Sequence, residues 1–138
     1  MIFLDANVVV YALLKPKGNI SNETAEKKQK ARRIFDKISS EKVFTTVIHL
    51  SEMANAVETA STKENSNQVI EFLLSLDNML VLPVSKQDYF EATTTAKKYS
   101  VGVNDALAVN ALLENGSREI YSFDKDFDKV DWVERLEG

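Results

Sequence analysis

The sequence has no cysteine, one histidine, four glycines and two prolines in 138 residues. Each shortage removes a class of chemistry. Without cysteine there is no disulfide framework, thiolate zinc site, iron–sulfur cluster or cysteine nucleophile. The lone His49 cannot complete a two-histidine metal motif, and a Ser-His-Asp triad would have to use that one residue. Gly18, Gly102, Gly116 and Gly138 are too far apart for a GxGxxG turn or a Walker A loop. The longest apolar run, Val8 to Leu14, is seven residues, far below the roughly 18 that a membrane span needs. Asp5 interrupts the N-terminus and no basic leader precedes it, so no signal peptide is expected and the cytoplasm is the expected compartment. What remains for chemistry is carboxylates, hydroxyls and amines.

Apolar content of 44% and charged content of 28% suit a folded domain. With no internal repeat and no low-complexity linker, residues 1–138 read as a single domain. A net charge of −4 argues mildly against simple electrostatic binding to nucleic acid. Its distribution is uneven. Between Lys15 and Arg33, seven bases face Glu23 and Glu26, a local +5 that suits either a solvated helix face or a binding surface. From Glu114 onward, eight acids face four bases, a local −4.

Apolar spacing alternates strand and helix along the chain. Ile2-Phe3-Leu4 reads as a strand buried on both faces, followed by a helix over Val8 to Leu14 that ends before Pro16. Ala31, Ile34, Phe35 and Ile38 form an amphipathic stripe, and Val43 to Thr46 is a second strand. The helical stripe returns at Leu50, Met53, Ala54 and Val57, and again at Val69, Phe72, Leu73 and Leu76. Met79 to Leu82 is a third strand. Ser85 and Asp88 form a capping box opening a helix to about Tyr99. Asn104 is the expected cap of a deeply buried helix, Asp105 to Asn115, stopped by Gly116. Ile120 to Phe123 is a fourth strand, and Trp132-Val133 belongs to a fifth. This pattern predicts an α/β fold: a central, mainly parallel sheet of about five strands between two helical layers.

In such a sheet, function collects at the carboxyl ends of the strands. Asp5 follows the first strand and Asp124 the fourth, while Glu52 lies early in the helix after the second and Asp105 opens the buried helix. Each acid also has an ordinary reading: Asp5 as a helix cap, Asp105 as a helix-dipole partner, Glu52 as a solvated residue, Asp124 as part of an acidic loop. Their joint placement after successive strands is what points to a site. Converging carboxylates repel one another unless a cation neutralises them, and oxygen ligands without His or Cys suit Mg²⁺ or Mn²⁺. Such an ion activates water for phosphodiester hydrolysis. A calcium loop at Asp124 to Asp128 is excluded, because the positions needing Gly and Glu hold Lys129 and Arg135.

These residues resemble the motifs of PIN-domain nucleases, and within them the VapC-type toxins. Ile2-Phe3-Leu4-Asp5-Ala6-Asn7-Val8 is similar to the family's apolar strand followed by D-x-N. Glu52 resembles its second acid, Asn104-Asp105-Ala106-Leu107-Ala108 the helix bearing the third, and Ser122-Phe123-Asp124-Lys125-Asp126-Phe127 its T-x-D-x-D-F segment with Ser for Thr. The resemblance implies a PIN-like three-layer α/β/α fold. It also implies a catalytic, metal-binding set of Asp5, Glu52, Asp105 and Asp124 that holds Mg²⁺ or Mn²⁺ and positions water to cut RNA. Asn7 and Ser122 would support them by hydrogen bonding, with Asp126 as an outer ligand. A homodimer and a small antitoxin that silences the site are further implications, as is the alternative of an RNA-processing nuclease that is not a toxin.

Two other classes compete. A phosphoryl-transfer enzyme with Asp5 as nucleophile would want a second Asp where Asn7 stands, and a receiver domain would want an acceptor Asp where Pro83-Val84-Ser85 follow the third strand. A binding module that kept the fold would be expected to have lost one of the four acids, and none is lost. His49 and Trp132 are expected to be structural, and the Val8 to Leu14 surface to be core or a dimer seam.

Overall fold

β1 (Ile2–Leu4) is three residues long, and it holds its place because strands pair with both its edges and helices cover both its faces. The structure, a computed structural model, describes residues 1–13 and 18–137. After β1 come α1 (Ala6–Leu13), α2 (Asn22–Lys37), β2 (Val43–Thr46), α3 (Val47–Ala60), α4 (Lys63–Ser75) and β3 (Met79–Leu82). Then follow α5 (Lys86–Tyr99), α6 (Val103–Glu114), β4 (Glu119–Tyr121), a 3-10 turn (Lys125–Lys129) and β5 (Glu134–Leu136). The sheet order is β3-β2-β1-β4-β5, with every pair parallel. The expected three-layer α/β/α architecture is present.

Strand periodicity divides the core. Phe3, Phe44 and Ile120 lie in one cross-strand row and pack with Ala108, Val109 and Leu112 of α6. Residues adjacent to these along each strand, Leu4, Val43 and Tyr121, face the opposite layer and meet Val8 and Val9 of α1, Ile34 of α2, Met53 of α3 and Leu73 of α4. Phe3 and Phe44 meet edge to face at 5.2 Å, a geometry aromatic rings favour. The apolar start of α1 is therefore core: Val8, Val9 and Ala12 are buried.

Local signals account for most helix ends. In the capping box of α5, Asp88 N donates to Ser85 Oγ at 3.1 Å and Ser85 N to Asp88 Oδ2 at 2.9 Å. Ser85→Ala is expected to cost about 1 kcal/mol, a fall of about 3 °C in melting temperature by calorimetry, with function untouched. Beyond α6, Gly116 takes a left-handed φ of 64°, and the amides of Gly116 and Ser117 return to Leu113 and Leu112 carbonyls. This closes the helix where the sequence predicted.

Four boundaries depart from the sequence reading. α1 begins at Ala6, two residues before the apolar run, because the Asp5 carbonyl and carboxylate already accept bonds from its first turn. α6 begins at Val103 after Gly102, which offers no side-chain cap. Asn104 is thus inside the helix, and its carbonyl oxygen accepts from the Tyr89 hydroxyl. β4 ends at Tyr121, although Ser122 N still reaches Leu136 O. The fifth strand is Glu134–Leu136 and not Trp132-Val133. Val133 N folds back to Val130 O, and the Trp132 carbonyl is taken by Arg118 Nε. Trp132 packs against the Phe3 cluster instead. The predicted helix end at Leu14 and the bases Lys15 and Lys17 lie outside the described residues. Among those described, no helix is long and apolar enough to cross a membrane.

Candidate active site

From β1 the chain proceeds through β2 to β3 on one side of the sheet, then crosses to build β4 and β5 on the other. The direction reverses between β1 and β4, the switch point at which open α/β sheets place their crevice. Asp5 and Ser122 are the first residues past those two strands. Asp5 is buried, its Oδ1 accepting from Ala6 N at 2.9 Å and its Oδ2 from Ser122 Oγ at 2.6 Å. The Ser122 hydroxyl also accepts from Asp124 N at 3.0 Å and from Asn7 Nδ2 at 3.5 Å, which uses its full capacity. Asn7 closes the loop by accepting from Phe123 N at 3.3 Å. One hydroxyl therefore ties together three residues singled out from the sequence.

Asp124 then caps the 3-10 turn, its Oδ1 accepting from Asp126 N at 2.9 Å. Facing it is Asp105, in the first turn of α6. Asp105, Asp124 and Asp126 each present a carboxylate oxygen, all within 4.8 Å of one another. Asp126, expected only as an outer ligand, is a full member of the tightest acidic group among the described residues. It also meets a cation of the chain itself, since Lys129 Nζ lies 3.2 Å from Asp126 Oδ1 and donates to the Ser100 carbonyl at 3.0 Å. Glu52 stands outside that trio on an exposed turn of α3. Its carboxyl nonetheless faces enough protein to be partly desolvated, with the Asn104 amide beside it.

The electrostatics carry the mark of unneutralised charge. Asp105 is pushed up to about 7, by burial first and then by the negative charges of Asp124, Asp5, Asp126 and Glu52. Burial raises Asp5 to about 6 against the bonds from Ser122 and Ala6, with the charges of Glu52 and Asp124 adding to the rise. Burial also raises Glu52, while Asn104 lowers it. The four acids chosen from the sequence thus sense one another across the crevice. Oxygen donors clustered at this spacing, without thiolate or imidazole, fit a hard divalent cation.

His49 is not part of this set. It is buried, its Nδ1 pairs with Thr46 Oγ1 at 2.7 Å and its ring meets Phe3 edge-on at 4.9 Å. Burial drives it down to about 4, against the raising effect of the Asn104 backbone, so it stays neutral. The sequence reading also passed over Lys129 and Arg135. Both are exposed-looking bases in an acidic stretch, and nothing local marks them.

The PIN domain family model matches residues 2–133. The chain belongs to the PIN domain family. Curated protein sequences yield no match. Among solved structures, this PIN domain is similar to Mycobacterium tuberculosis VapC20, a toxin that cleaves the sarcin-ricin loop. The TM-score is 0.74 at 18% identity, covering 96% of this chain and 97% of that one. A toxin–antitoxin complex from Klebsiella pneumoniae gives 0.66 at 11% identity, covering 100% and 98%. VapBC2 from Rickettsia felis, solved bound to a DNA fragment from its promoter, gives 0.63 at 18% identity, covering 99% and 98%. At these identities the likeness is one of fold.

Proposed function

We propose that this PIN domain is a metal-dependent endoribonuclease and the toxin of a toxin–antitoxin pair. The observation that carries the reading is the convergence of Asp105, Asp124 and Asp126, with Asp5 behind them, in the crevice where the sheet reverses direction. Family membership supports a nuclease, and the toxins among its fold neighbours support the biological role.

In this reading Asp105, Asp124 and Asp126 would hold Mg²⁺ or Mn²⁺, with Asp5 and Glu52 completing the negative field. When bound, such an ion would supply an activated water and stabilise charge on a phosphoryl oxygen. Ser122 and Asn7 keep Asp5 and the Asp124 loop in register through the bonds described above. Lys129 restrains Asp126 on the solvent side. Substrate phosphates would be drawn by α2, where Arg32 and Arg33 are exposed and Lys27 lies over the Tyr11 ring at 5.7 Å. α2 packs on α1, whose first turn begins beside Asp5. The same reading expects an antitoxin that covers the crevice, a second copy of the chain in solution, and a cytoplasmic site of action.

The deciding test is cleavage of single-stranded and hairpin RNA by purified protein. Cutting should require Mg²⁺ or Mn²⁺, stop in chelator and return when metal is restored. Cleavage that persists in chelator would overturn the metal mechanism. An aspartyl-phosphate adduct on Asp5 in place of RNA cleavage would favour the phosphoryl-transfer alternative.

A further inference from the structure

The three clustered carboxylates pose a mechanical problem. Asp124 and Asp126 sit on a short 3-10 turn, a weakly self-supporting element, and they face Asp105 on a rigid buried helix. Repulsion should push the turn away from the helix when no cation is bound. Phe127, buried with Ala108, Val109 and Leu112 of α6, anchors the middle of the turn, and its acidic flanks need a further restraint.

Arg135, on the edge strand β5, is placed to do so. Its Nε donates to Asp128 Oδ1 at 3.0 Å and its Nη2 to Asp128 Oδ2 at 3.2 Å, a two-pronged grip on the turn. Its Nη1 donates to the Ser122 carbonyl at 3.3 Å and lies 3.1 Å from Glu137 Oε1. Ser122 and Asp128 bracket the segment that carries Asp124 and Asp126. The Arg135 side chain is only 13% exposed, whereas that of its partner Asp128 is 55% exposed, so the fork is fixed from the sheet side. Register pins it further, because Arg135 pairs with Ile120 in the β4–β5 ladder. A planar fork holds two carboxylate oxygens in one orientation, which an ammonium cannot do. Arg135 also lies past the residues matched by the family model.

We propose that Arg135 is a positioning residue that clamps the Ser122-to-Asp128 segment to β5 and so presets the carboxylate trio for its cation. The inference rests on the nuclease reading above. It gives β5 a role beyond finishing the sheet. Arg135 touches neither the ion nor the RNA, and its effect passes through the turn.

The test measures Mn²⁺ binding alone by calorimetry, and RNA cleavage as a function of Mg²⁺ concentration, in wild type, Arg135→Met, Arg135→Lys and Asp128→Asn. Arg135→Met should weaken Mn²⁺ binding by about tenfold or more. The half-saturating Mg²⁺ should rise by a similar factor, while the rate at saturating metal stays near wild type. Arg135→Lys should recover only part of the affinity, since it restores charge without the fork. Asp128→Asn, a change on the exposed partner that leaves the fold intact, should weaken binding in the same direction. A double Asp128→Asn/Arg135→Met variant should be no weaker than Arg135→Met. Unchanged Mn²⁺ affinity in folded Arg135→Met, or in Asp128→Asn if Arg135→Met does not fold, overturns the clamp. So does a lowered saturating rate with affinity intact. Failure of the wild type itself to bind Mn²⁺ or cut RNA would strike the nuclease reading instead.

Discussion

Asp105→Asn should stabilise the metal-free protein while destroying its activity. Asp105 ionises in the folded protein at about 7 against an ordinary 3.8, so folding binds protons to it between those values. A raised acid of this kind carries no penalty below its unfolded pKa. As pH climbs through the window from about 4 to 7, stability is lost, and the full penalty stands at pH 8. A shift of about three units corresponds to roughly 4 kcal/mol. Asp105 is partly open to solvent, so screening should reduce this to about 2 kcal/mol. By calorimetry in chelator at pH 8, Asp105→Asn should therefore melt about 6 °C above wild type, with little difference near pH 4. Saturating Mg²⁺ should reverse the order, raising wild type through binding to the native state alone and leaving the variant where it was. RNA cleavage should fall about a thousandfold, the scale for removing a preorganised charged group from an active site. A variant that melts lower than wild type in chelator at pH 8 would show that the acidic cluster is not under electrostatic strain.

Ser122→Ala should damage both the fold and the site, and its cost should depend on pH. The hydroxyl donates at 2.6 Å to the buried Asp5 carboxylate and accepts from Asp124 N and Asn7. Without it, Asp5 keeps only the Ala6 amide, and its pKa, already about 6, should move higher. Because Asp5 is raised from 3.8, wild-type stability already declines as pH rises through about 4 to 6, and the variant should continue to decline above that window. The difference should be about 1 kcal/mol near pH 4, where the Asp124 amide and Asn7 still lose their acceptor, and widen by about 2 kcal/mol by pH 8, the value of a hydrogen bond to a buried charge. Urea midpoints across pH would measure it. Activity should drop some tens of times and be recovered largely by Ser122→Thr, which restores the hydroxyl and is the residue the family motif carries. Equal losses in Ser122→Ala and Ser122→Thr would show that packing, and not the hydroxyl, governs this position.

How much of this was legible before folding depends on the range of the interaction. The five strands and their intervening helices were visible because a buried strand or a helical stripe is recorded in residues a few places apart. Asp5, Asp105 and Asp124 were visible because each follows or opens such an element, and doubly wound topology gathers those ends. The spacing of Asp126 from Asp124 was plain, but its meeting with Asp105 depends on how α6 packs against the turn. Asn104 looked like a cap because it precedes an apolar helix, and only the Tyr89 hydroxyl packed over it reveals its other engagement. Trp132-Val133 looked like a strand from apolar content, whereas the hydrogen-bonded neighbours of β4 begin at Glu134.

The order of residues in this chain was enough to establish what chemistry was open to it. The absence of thiols, the single imidazole, the sparse glycines and the acids spaced behind successive strands leave carboxylate oxygens as the groups gathered at the edge of an α/β sheet. It did not establish which carboxylates meet, how far their ionisation is displaced, or that Arg135 grips the turn bearing two of them. Periodicity is a local property that survives in the linear text. A crevice, an electrostatic field and a guanidinium fork are sums over groups that become neighbours only once the sheet has closed and excluded water between them.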